Sequence, residues 1–494
     1  MKALLVLCLA VGGEAQRLSA QCPDGLLPPC RPARAAAAPA PNSVAVLYFD
    51  NLSPDTTDAY LADALTEELI NRLGRIERLV VRSRQATQRF RARTGDDPAA
   101  LGRALNVAYL VSGRVRHQGR QVHVGVELVR ATTGTHLWGN NWHRSDEDLL
   151  AIEADIAHDV ASAIAGRLLP AERSAVTSSP SVRLEAYTLY LKGRFEFNRY
   201  TLAGFRAALD YFQRAAGADL TYAPAYAGIA DAYNWLADYE PPRRLLPQMK
   251  AAALRALELD PTSPEAHTAL GNIQLWFAWD PRAADTSFRR ALVNNPRYAP
   301  AYASDATALV ALGRNEEAVV AATRAQDLDP LFPGVAGDLI NAGHPEVAIR
   351  NAGAQLLLDS TDANAHFLLG QALLQLDKTE EGIEHVRRAV RLSHRLPYMV
   401  ASLGHWEAKA GRSDAARSIL RELAQRAEQV WVMPIYFAEV YAGLGGSDSA
   451  FAWLERGFED RAATMMSLTW SREWDSIRAD PRFSALLRRM GLVQ

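Results

Sequence analysis

Cysteine is scarce in this 494-residue sequence, with only three residues of the type. Cys8 lies in an apolar run near the start, whereas Cys22 and Cys30 bracket the turn-forming segment QCPDGLLPPC. We predict that Cys22 and Cys30 form a small disulfide loop, which requires an oxidising compartment. A metal site on this pair is disfavoured because no histidine or further cysteine lies nearby to complete a tetrahedral shell.

Motifs of common catalytic sites are also missing. The sequence contains no phosphate-binding P-loop, no His-Glu-x-x-His, no Gly-x-Ser-x-Gly, and no kinase combination of a Gly-rich loop with a His-Arg-Asp loop. We therefore predict that the protein is not an enzyme and that it uses no cofactor.

An excess of positive charge is absent as well. Lysine and arginine number 54 against 56 aspartates and glutamates, which gives a formal net charge of -2. Because no overall basic field attracts polyanions, we predict no nucleic-acid partner.

The sequence has no apolar run long enough to span a bilayer, because the apolar run at its amino terminus is too short. A basic start at Lys2 precedes the apolar run from Ala3 to Val11, and small residues follow at Ala15 and Ala20. We predict that residues 1–20 are a cleaved signal peptide, with an uncut hydrophobic leader as the alternative. Residues 21–41 then form a Pro/Ala-rich linker that contains the cysteine pair. The predicted location is the periplasm or cell envelope, with no membrane span after cleavage.

What the sequence does contain is a repeated helical unit. The stretch from Ala299 to Pro330 has alanines at helix-contact positions, a central break at Gly313-Arg314-Asn315, and a closing proline. Two antiparallel helices that meet through alanines, because only a small side chain lets their axes approach closely, are typical of a tetratricopeptide (TPR) unit.

Equivalent units recur with a period of about 34 residues. We predict an all-α TPR solenoid of about eight units over residues 184–461, since one unit alone cannot bury its apolar face. The unit from Leu339 to Leu358 is expected to be degenerate because Gly343 and Pro345 interrupt it. Residues 462–494 are predicted to form a carboxy-terminal helical cap.

Residues 42–170 show a different pattern. Ser43 to Asp50 is an apolar run of strand length, and a leucine at every fourth position from Leu61 to Leu73 predicts an amphipathic helix. Asp97-Pro98 predicts a capped helix start. The predicted order β-α-β-α-β-β-β-α indicates an α+β or α/β domain with a mixed sheet.

This domain carries a family resemblance. The stretches SVAVLYFDNLSPDTTDAYLADALTEELINRL and ALNVAYLVSGRVRHQGRQVHVGVELVRATTGTHLW resemble the TolB-amino-terminal-like (FlgO-like) domain that precedes TPR units in many bacterial proteins. Relatives often carry a winged-helix, adenylate cyclase or kinase domain ahead of this module. Only about forty residues precede it here, so the resemblance implies neither catalysis nor DNA binding.

Polar clusters in this domain are interpreted as structural. Glu67 and Glu68 lie on a helix whose other face is leucine, which predicts a solvated face rather than an acid/base pair. Trp138 and Trp142 are predicted to pack or to cover a sheet edge. The histidines of the hairpin and of the following strand lack a tight ligand spacing, so we predict no metal site among them: His117, His123, His136 and His143.

Candidate binding residues are those on the first helices that are expected to face the concave groove of the solenoid. Amide and aromatic side chains there can bind the backbone and cover the apolar side chains of a partner peptide. For Trp235 and Trp276, the filling of gaps near enlarged loops is an equal alternative. The candidates are Asp231, Asn234, Trp235, Asn272, Trp276, Gln371 and His405.

These features predict a non-enzymatic, exported interaction scaffold whose TPR groove binds a peptide or protein partner. The alternative is a sensory or regulatory module. In that interpretation the α+β domain binds a small ligand or glycan, and the TPR array relays its state to a separate signalling protein.

Overall fold

The computed structural model describes residues 39–88, 90–91, 97–177, 182–329 and 335–492. These residues belong to one structural unit that begins at Ala38. The predicted signal peptide, the predicted Cys22–Cys30 disulfide and nearly all of the predicted linker lie outside the described residues.

A six-stranded mixed sheet forms the centre of the amino-terminal domain. The strand order is β3-β1-β4-β5-β6, and β2 pairs with β4. β1 runs parallel to β3 and β4, whereas β4, β5 and β6 are antiparallel. The strands are β1 (Ser43–Val46), β2 (Asp50–Asn51), β3 (Val80–Val81), β4 (Tyr109–Gln118), β5 (Gln121–Arg130) and β6 (Thr135–Ser145).

Five α-helices and two 3-10 turns accompany this sheet in the described residues. The α-helices are α1 (Ala59–Gly74), α2 (Arg84–Gln88), α3 (Pro98–Leu105), α4 (Leu149–Ala165) and α5 (Pro170–Thr177). The predicted leucine stripe of α1 is buried in the core that it shares with α4 and the sheet. Val44 and Val46 of β1 face that core, whereas Ala45 faces a smaller core with α2 and α3. The Asp97 side chain accepts hydrogen bonds from the amides of Ala99 and Ala100, which confirms the predicted capped start of α3.

Eight helix pairs follow within the described ranges, and they confirm the predicted mixed-sheet domain followed by an all-α array. The pairs are α6 (Leu184–Phe197) with α7 (Leu202–Ala218), α8 (Ala223–Leu236) with α9 (Pro242–Leu259), α10 (Pro264–Trp276) with α11 (Pro281–Asn294), α12 (Ala299–Ala311) with α13 (Asn315–Leu328), α14 (Val335–Asn341) with α15 (Pro345–Leu358), α16 (Ala363–Gln375) with α17 (Thr379–Leu392), α18 (Pro397–Lys409) with α19 (Ser413–Ala427), and α20 (Pro434–Gly443) with α21 (Ser447–Asp460).

Small residues let the paired helices approach one another closely. Gly193 on α6 and Gly228 on α8 both lie against the fully buried ring of Phe212 on α7. A Cβ atom on Gly193 would stand 2.5 Å from that ring. The aromatic ring therefore fills the space that a side chain would otherwise need, as close packing requires.

Gly343 and Pro345, which were predicted to interrupt the fifth unit, lie at the turn between its two helices. Gly343 takes a positive φ of 89° in the turn after α14, and Pro345 occupies the first turn of α15. A glycine in the left-handed region and a proline at a helix start are favourable at these positions. Both residues therefore suit the turn between the two helices.

The carboxy-terminal segment packs back against the array. It comprises 3-10 helices at Ala463–Thr469 and Arg472–Trp474, followed by α22 (Pro481–Met490). Trp474 and Phe483 share a hydrophobic core with Trp279 and Phe288 of the third helix pair and its connection. In the part of the chain that the structure describes, no helix combines the length and the apolar character that a bilayer span needs.

Candidate functional site in the concave face

Two cavities lie among the first helices of the pairs, and a different part of the chain covers each of them. We call the cavity beside the α+β domain the junction chamber, and its volume is about 280 Å³. Its walls come from α1, α6 and α8 and from the starts of α10 and α12. The second cavity, of about 210 Å³, lies between α14, α16, α18 and the residues from Trp470 to Glu473.

The polar face of α1 forms one wall of the junction chamber. Glu67 makes an ion pair of 2.5 Å with Arg194 on α6, and the Asn198 side-chain amide donates to its other oxygen at 3.3 Å. Burial opposes ionisation of Glu67, but the guanidinium groups of Arg194 and Arg84 outweigh burial and hold its pKa below the ordinary value. The predicted solvated face of Glu67 and Glu68 is therefore wrong, because α6 packs against it.

A buried charged network continues from Glu68 behind this wall. Arg72 pairs with Glu68 at 2.7 Å and donates to the Val176 carbonyl at 2.8 Å. The hydroxyl of Tyr187 donates to Glu153 at 2.7 Å. Burial, reinforced by the charge of Glu68, raises the pKa of Glu153 well above its ordinary value. This network fastens α1, α4 and α6 together.

Several polar groups of the chamber make no hydrogen bond to any residue that the structure describes. Asp231 on α8 is half-buried, and the hydroxyls of Tyr190, Tyr222 and Tyr298 also lack partners there. Burial raises the pKa of Asp231 to about 6, although the charge of Arg194 opposes the shift. These groups are available to a ligand, whereas Glu67 and Arg194 are committed to each other.

The residues from Ala463 to Trp474, which we call the return segment, cover the first helices farther along the array. The ring of Trp470 lies edge-on to Trp276, with centroids 6.5 Å apart. Arg472 donates to the Gln375 carbonyl at 2.7 Å and pairs with Asp377 at 3.2 Å. A stretch of the protein's own chain that contains two short 3-10 helices thus lies against the first helices of the pairs.

Three of the candidate residues from the sequence line or border these cavities. Asp231 faces the junction chamber. Trp276 contacts the return segment through Trp470. Gln371 lines the second cavity and donates to the Ser402 hydroxyl at 2.7 Å.

The other candidates lie elsewhere. Trp235 stacks on Phe205 of α7 with ring centroids 5.5 Å apart, and the rest of its side chain is exposed. The Asn234 side-chain oxygen is buried, with no hydrogen-bond partner among the described residues, and Asn272 is half-buried on α10. These three residues do not line either cavity.

His405 is a core residue rather than a groove residue. It is 1% exposed, and its Nδ1 donates to the Glu439 carbonyl at 3.0 Å. Burial lowers its pKa to about 4, so the imidazole is neutral at physiological pH. The side chain therefore joins α18 to α20.

Sequence reasoning missed Tyr190, Arg194, Tyr222 and Tyr298. Arg194 meets Glu67 across 127 positions of the chain, and no local pattern reports such a contact. The TPR register did offer one signal. Arg194 lies on the first helix of the leading unit, where charged residues on the inner face are candidates for binding.

The strand histidines form one close pair. His123 and His143 are opposite each other on β5 and β6, with their Nδ1 atoms 2.6 Å apart. Among the described residues, no group of three or more histidine, cysteine, aspartate or glutamate side chains is arranged to hold a metal ion. Trp138 and Trp142 lie 6.1 Å apart and pack toward the sheet core.

Two family models match parts of the chain. Residues 40–158 match the second domain of HilA/YgeH-like transcriptional regulators. Residues 363–393, which include α16 and α17, match a tetratricopeptide repeat, and this match confirms the TPR prediction. The family that matches the amino-terminal domain differs from the TolB-amino-terminal-like family named from the sequence.

One curated relative and several solved structures are similar to parts of the chain. A putative adenylate cyclase of Rhizobium meliloti (strain 1021) is 28% identical over 243 residues, which are 48% of this chain and 41% of the relative. The Cut9–Hcn1 assembly of the APC/C is 17% identical and covers 70% of this chain and 60% of its own, with a TM-score of 0.40. The type IV pilus biogenesis factor PilW is 15% identical and covers 49% and 94%, with a TM-score of 0.30. The chain thus spans less than two thirds of the length of the putative adenylate cyclase and of the Cut9–Hcn1 structure.

Proposed function

We propose that this protein is a non-enzymatic interaction scaffold whose concave face holds a segment of a partner protein. The observation that carries the proposal is the return segment, which lies against the first helices through Trp470 on Trp276 and Arg472 on the Gln375 carbonyl. A surface that accepts an aromatic side chain and offers a backbone carbonyl to an arginine of a covering segment suits peptide recognition.

A site-specific photocross-linker tests this function. It is placed at Asn272, which is half-buried on the inner helix α10, and separately at Asp414, whose side chain is fully exposed at the start of α19. We expect a defined partner to cross-link at position 272 in living cells and not at position 414. Identical cross-linked proteins at both positions would contradict groove binding.

We also propose that the protein is exported. The basic start, the short apolar run and the following small residues support this proposal. Cell fractionation with mass analysis of the amino terminus tests it. The expected product is periplasmic, cut near Ala15 or Ala20, with Cys22 bonded to Cys30. A cytoplasmic product that begins at Met1, with free thiols, would overturn the proposal.

A second candidate is a sensory module, and the position of the junction chamber favours it. A ligand in this chamber would touch α1 of the α+β domain and α6 and α8 of the array at once. Its binding free energy would then stabilise the contact between the two parts. The amino-terminal domain is similar to a domain of transcriptional regulators, and part of the chain is similar to a putative adenylate cyclase. Both similarities suggest a signalling context for such a module.

A further inference from the structure

The charges around the junction chamber do not balance. Six carboxylates line it, from Asp63, Glu67, Glu68, Asp231, Asp260 and Glu265, against two guanidinium groups from Arg75 and Arg194. Arg194 is paired with Glu67, so its charge is already compensated. Arg91 and Arg72 pair in the same way with Asp63 and Glu68. The lining carboxylates without an ion pair among the described residues are therefore those of Asp231, Asp260 and Glu265, and this local excess of negative charge favours a cation.

Most of these carboxylates are committed to partners. Asp63 pairs with Arg91 at 2.5 Å, Glu68 pairs with Arg72, and Asp260 accepts from the Thr262 amide at 2.9 Å. The Asp231 carboxylate has no hydrogen-bond partner among the described residues, and that of Glu265 accepts only from the Ser263 hydroxyl at 3.1 Å in the same part of the chain. Asp231 and Glu265 are thus the groups left for a ligand.

Aromatic rings provide a second and independent indication of a ligand. Tyr222 is 6% exposed, its ring lies edge-on to Tyr190 at 5.4 Å, and its hydroxyl meets no hydrogen-bond partner within the described ranges. It lines the chamber together with Tyr190 and Tyr298. Tyrosine faces beside carboxylates attract ammonium groups, because the negative ring face and the carboxylate act on the same positive charge.

We propose that the junction chamber binds an organic ammonium group, with Asp231 and Glu265 as its carboxylate partners and Tyr190, Tyr222 and Tyr298 as its aromatic walls. The group belongs either to a lysine side chain of a partner segment or to a free linear amine. The volume of about 280 Å³ admits a molecule of this size. The scaffold function does not require an ammonium site of this kind.

Acid weakens this binding. The titratable and charged groups that line the chamber with Asp231 come from every element around it. They are Asp63, Glu67 and Glu68 of α1 with Arg75 after it, Tyr187, Tyr190 and Arg194 of α6, Tyr222 before α8, and Asp260, Glu265 and Tyr298 at the starts of α10 and α12. The pKa of Asp231 is raised to about 6, so its carboxylate becomes neutral as the pH falls through that value. An ammonium ligand then loses a charged partner, and its affinity falls between pH 7.5 and pH 5.

Isothermal titration of the full chain tests the inference. The probes are 1,4-diaminobutane, the uncharged 1,4-butanediol, and a short peptide with one lysine beside the same peptide with norleucine. The variants are Asp231→Asn and, as a matched control, Asp414→Asn at a fully exposed position. Tyr298→Leu provides a second change in the chamber wall. Circular dichroism verifies that each variant is folded.

We expect an amine probe to bind and its uncharged analogue not to bind. Asp231→Asn should weaken amine binding by about tenfold or more, and Asp414→Asn should leave it unchanged. Binding of the lysine peptide supports a partner segment as the source, and binding of the diamine alone supports a small amine. Equal binding of the diol, or equal behaviour of the two asparagine variants, would overturn the inference. If neither amine binds while position 272 still cross-links a partner, the inference fails and the proposed function stands.

Discussion

The two ends of the concave face are covered in chemically different ways. Near the amino terminus, α1 approaches the array through carboxylates, guanidinium groups and tyrosines around the junction chamber. Farther along, the return segment approaches through Trp470 and through Arg472 on a backbone carbonyl. The first contact consists mainly of charged groups and leaves polar groups free, whereas the second combines an aromatic contact with the single ion pair of Arg472 and Asp377.

This difference suggests different tasks for the two ends. Charged contacts depend on geometry, pH and salt, and unsatisfied polar groups in a partly buried chamber reduce stability unless a ligand satisfies them. Aromatic contacts are less sensitive to these conditions. The amino-terminal contact is therefore suited to respond to a ligand, and the carboxy-terminal contact is suited to hold the array in shape.

The largest effect is expected from breaking the charged contact. Arg194→Met leaves Glu67 partly buried without its closest cation, and we expect a loss of about 3 kcal/mol in the free energy of unfolding. Urea denaturation measures this loss. Because Glu67→Gln removes the stranded charge, the double variant Glu67→Gln/Arg194→Met should recover most of the stability.

The control for that change is Arg214→Met, which breaks an exposed ion pair of 3.3 Å with Asp210 on α7. Exposed pairs contribute little, so the loss should stay below about 1 kcal/mol. Equal losses for the two arginine variants would mean that the ion pair of Arg194 and Glu67 stabilises the protein no more than an exposed surface pair does.

A smaller effect is expected from Trp470→Ala at the aromatic contact. Loss of its partly buried ring beside Trp276 should cost about 2 kcal/mol and loosen the return segment. Trypsin should then cut earlier at Arg472 and Arg478, which mass spectrometry can follow. Trp235→Ala removes a ring from the cluster with Phe205 and should leave this cleavage unchanged. Unchanged cleavage in Trp470→Ala would show that the anchor lies elsewhere.

Asp231→Asn is expected to stabilise the protein at neutral pH. The folded-state pKa of about 6 lies above the ordinary value of 3.8. The stability that this carboxyl contributes is therefore complete below pH 3.8 and is lost as the pH rises through about 6. At pH 7.5 the variant should be more stable by about 1 kcal/mol, after allowance for its partial exposure.

Thermal unfolding at several pH values measures this difference. The curves of the two proteins should converge at acidic pH, where both side chains are neutral. A stability gain that is constant across pH would assign the effect to packing instead of charge. A more stable Asp231→Asn variant would also show that its expected loss of amine binding does not result from unfolding.

The smallest effect is expected outside both contacts. Asp97→Ala removes the side-chain cap of α3 and should cost about 1 kcal/mol. Amine affinity and cleavage of the return segment should both stay at their normal levels. A change in either property would mean that the α3 region affects the concave face through contacts other than the two described above.

The sequence predicted those features that local patterns encode. The leucine spacing of α1, the cap at Asp97 and the recurring alanines of the helix pairs each act within a few residues of the chain. Their burial and hydrogen bonding confirm the corresponding predictions. Periodicity also marks the apolar side of a helix regardless of what packs against it.

The site depended on contacts that no local pattern reports. The wrong prediction for Glu67 and Glu68 arose because a polar helix face reads as solvated, whereas α6 brings Arg194 against it from far along the chain. The opposite error was made for His405. Its position on the first helix predicted a groove residue, but the side chain lies in the core and donates a hydrogen bond to a backbone carbonyl of the next unit. The periodicity of a helix therefore identifies its apolar and polar faces, but it does not identify the element that packs against each face.

The contact of Trp276 with Trp470 also restricts how this array can change in length. Trp276 ends the first helix of the third pair, and Trp470 follows the eighth pair. Solenoids in which each unit touches only its neighbours can gain or lose a unit by duplication or deletion. Here the intervening units set the positions of two long-range contacts. Adding or removing one unit would separate Trp470 from Trp276 and Asp460 from Arg243. We therefore expect this array to tolerate a change in loop length better than the insertion or deletion of a whole unit.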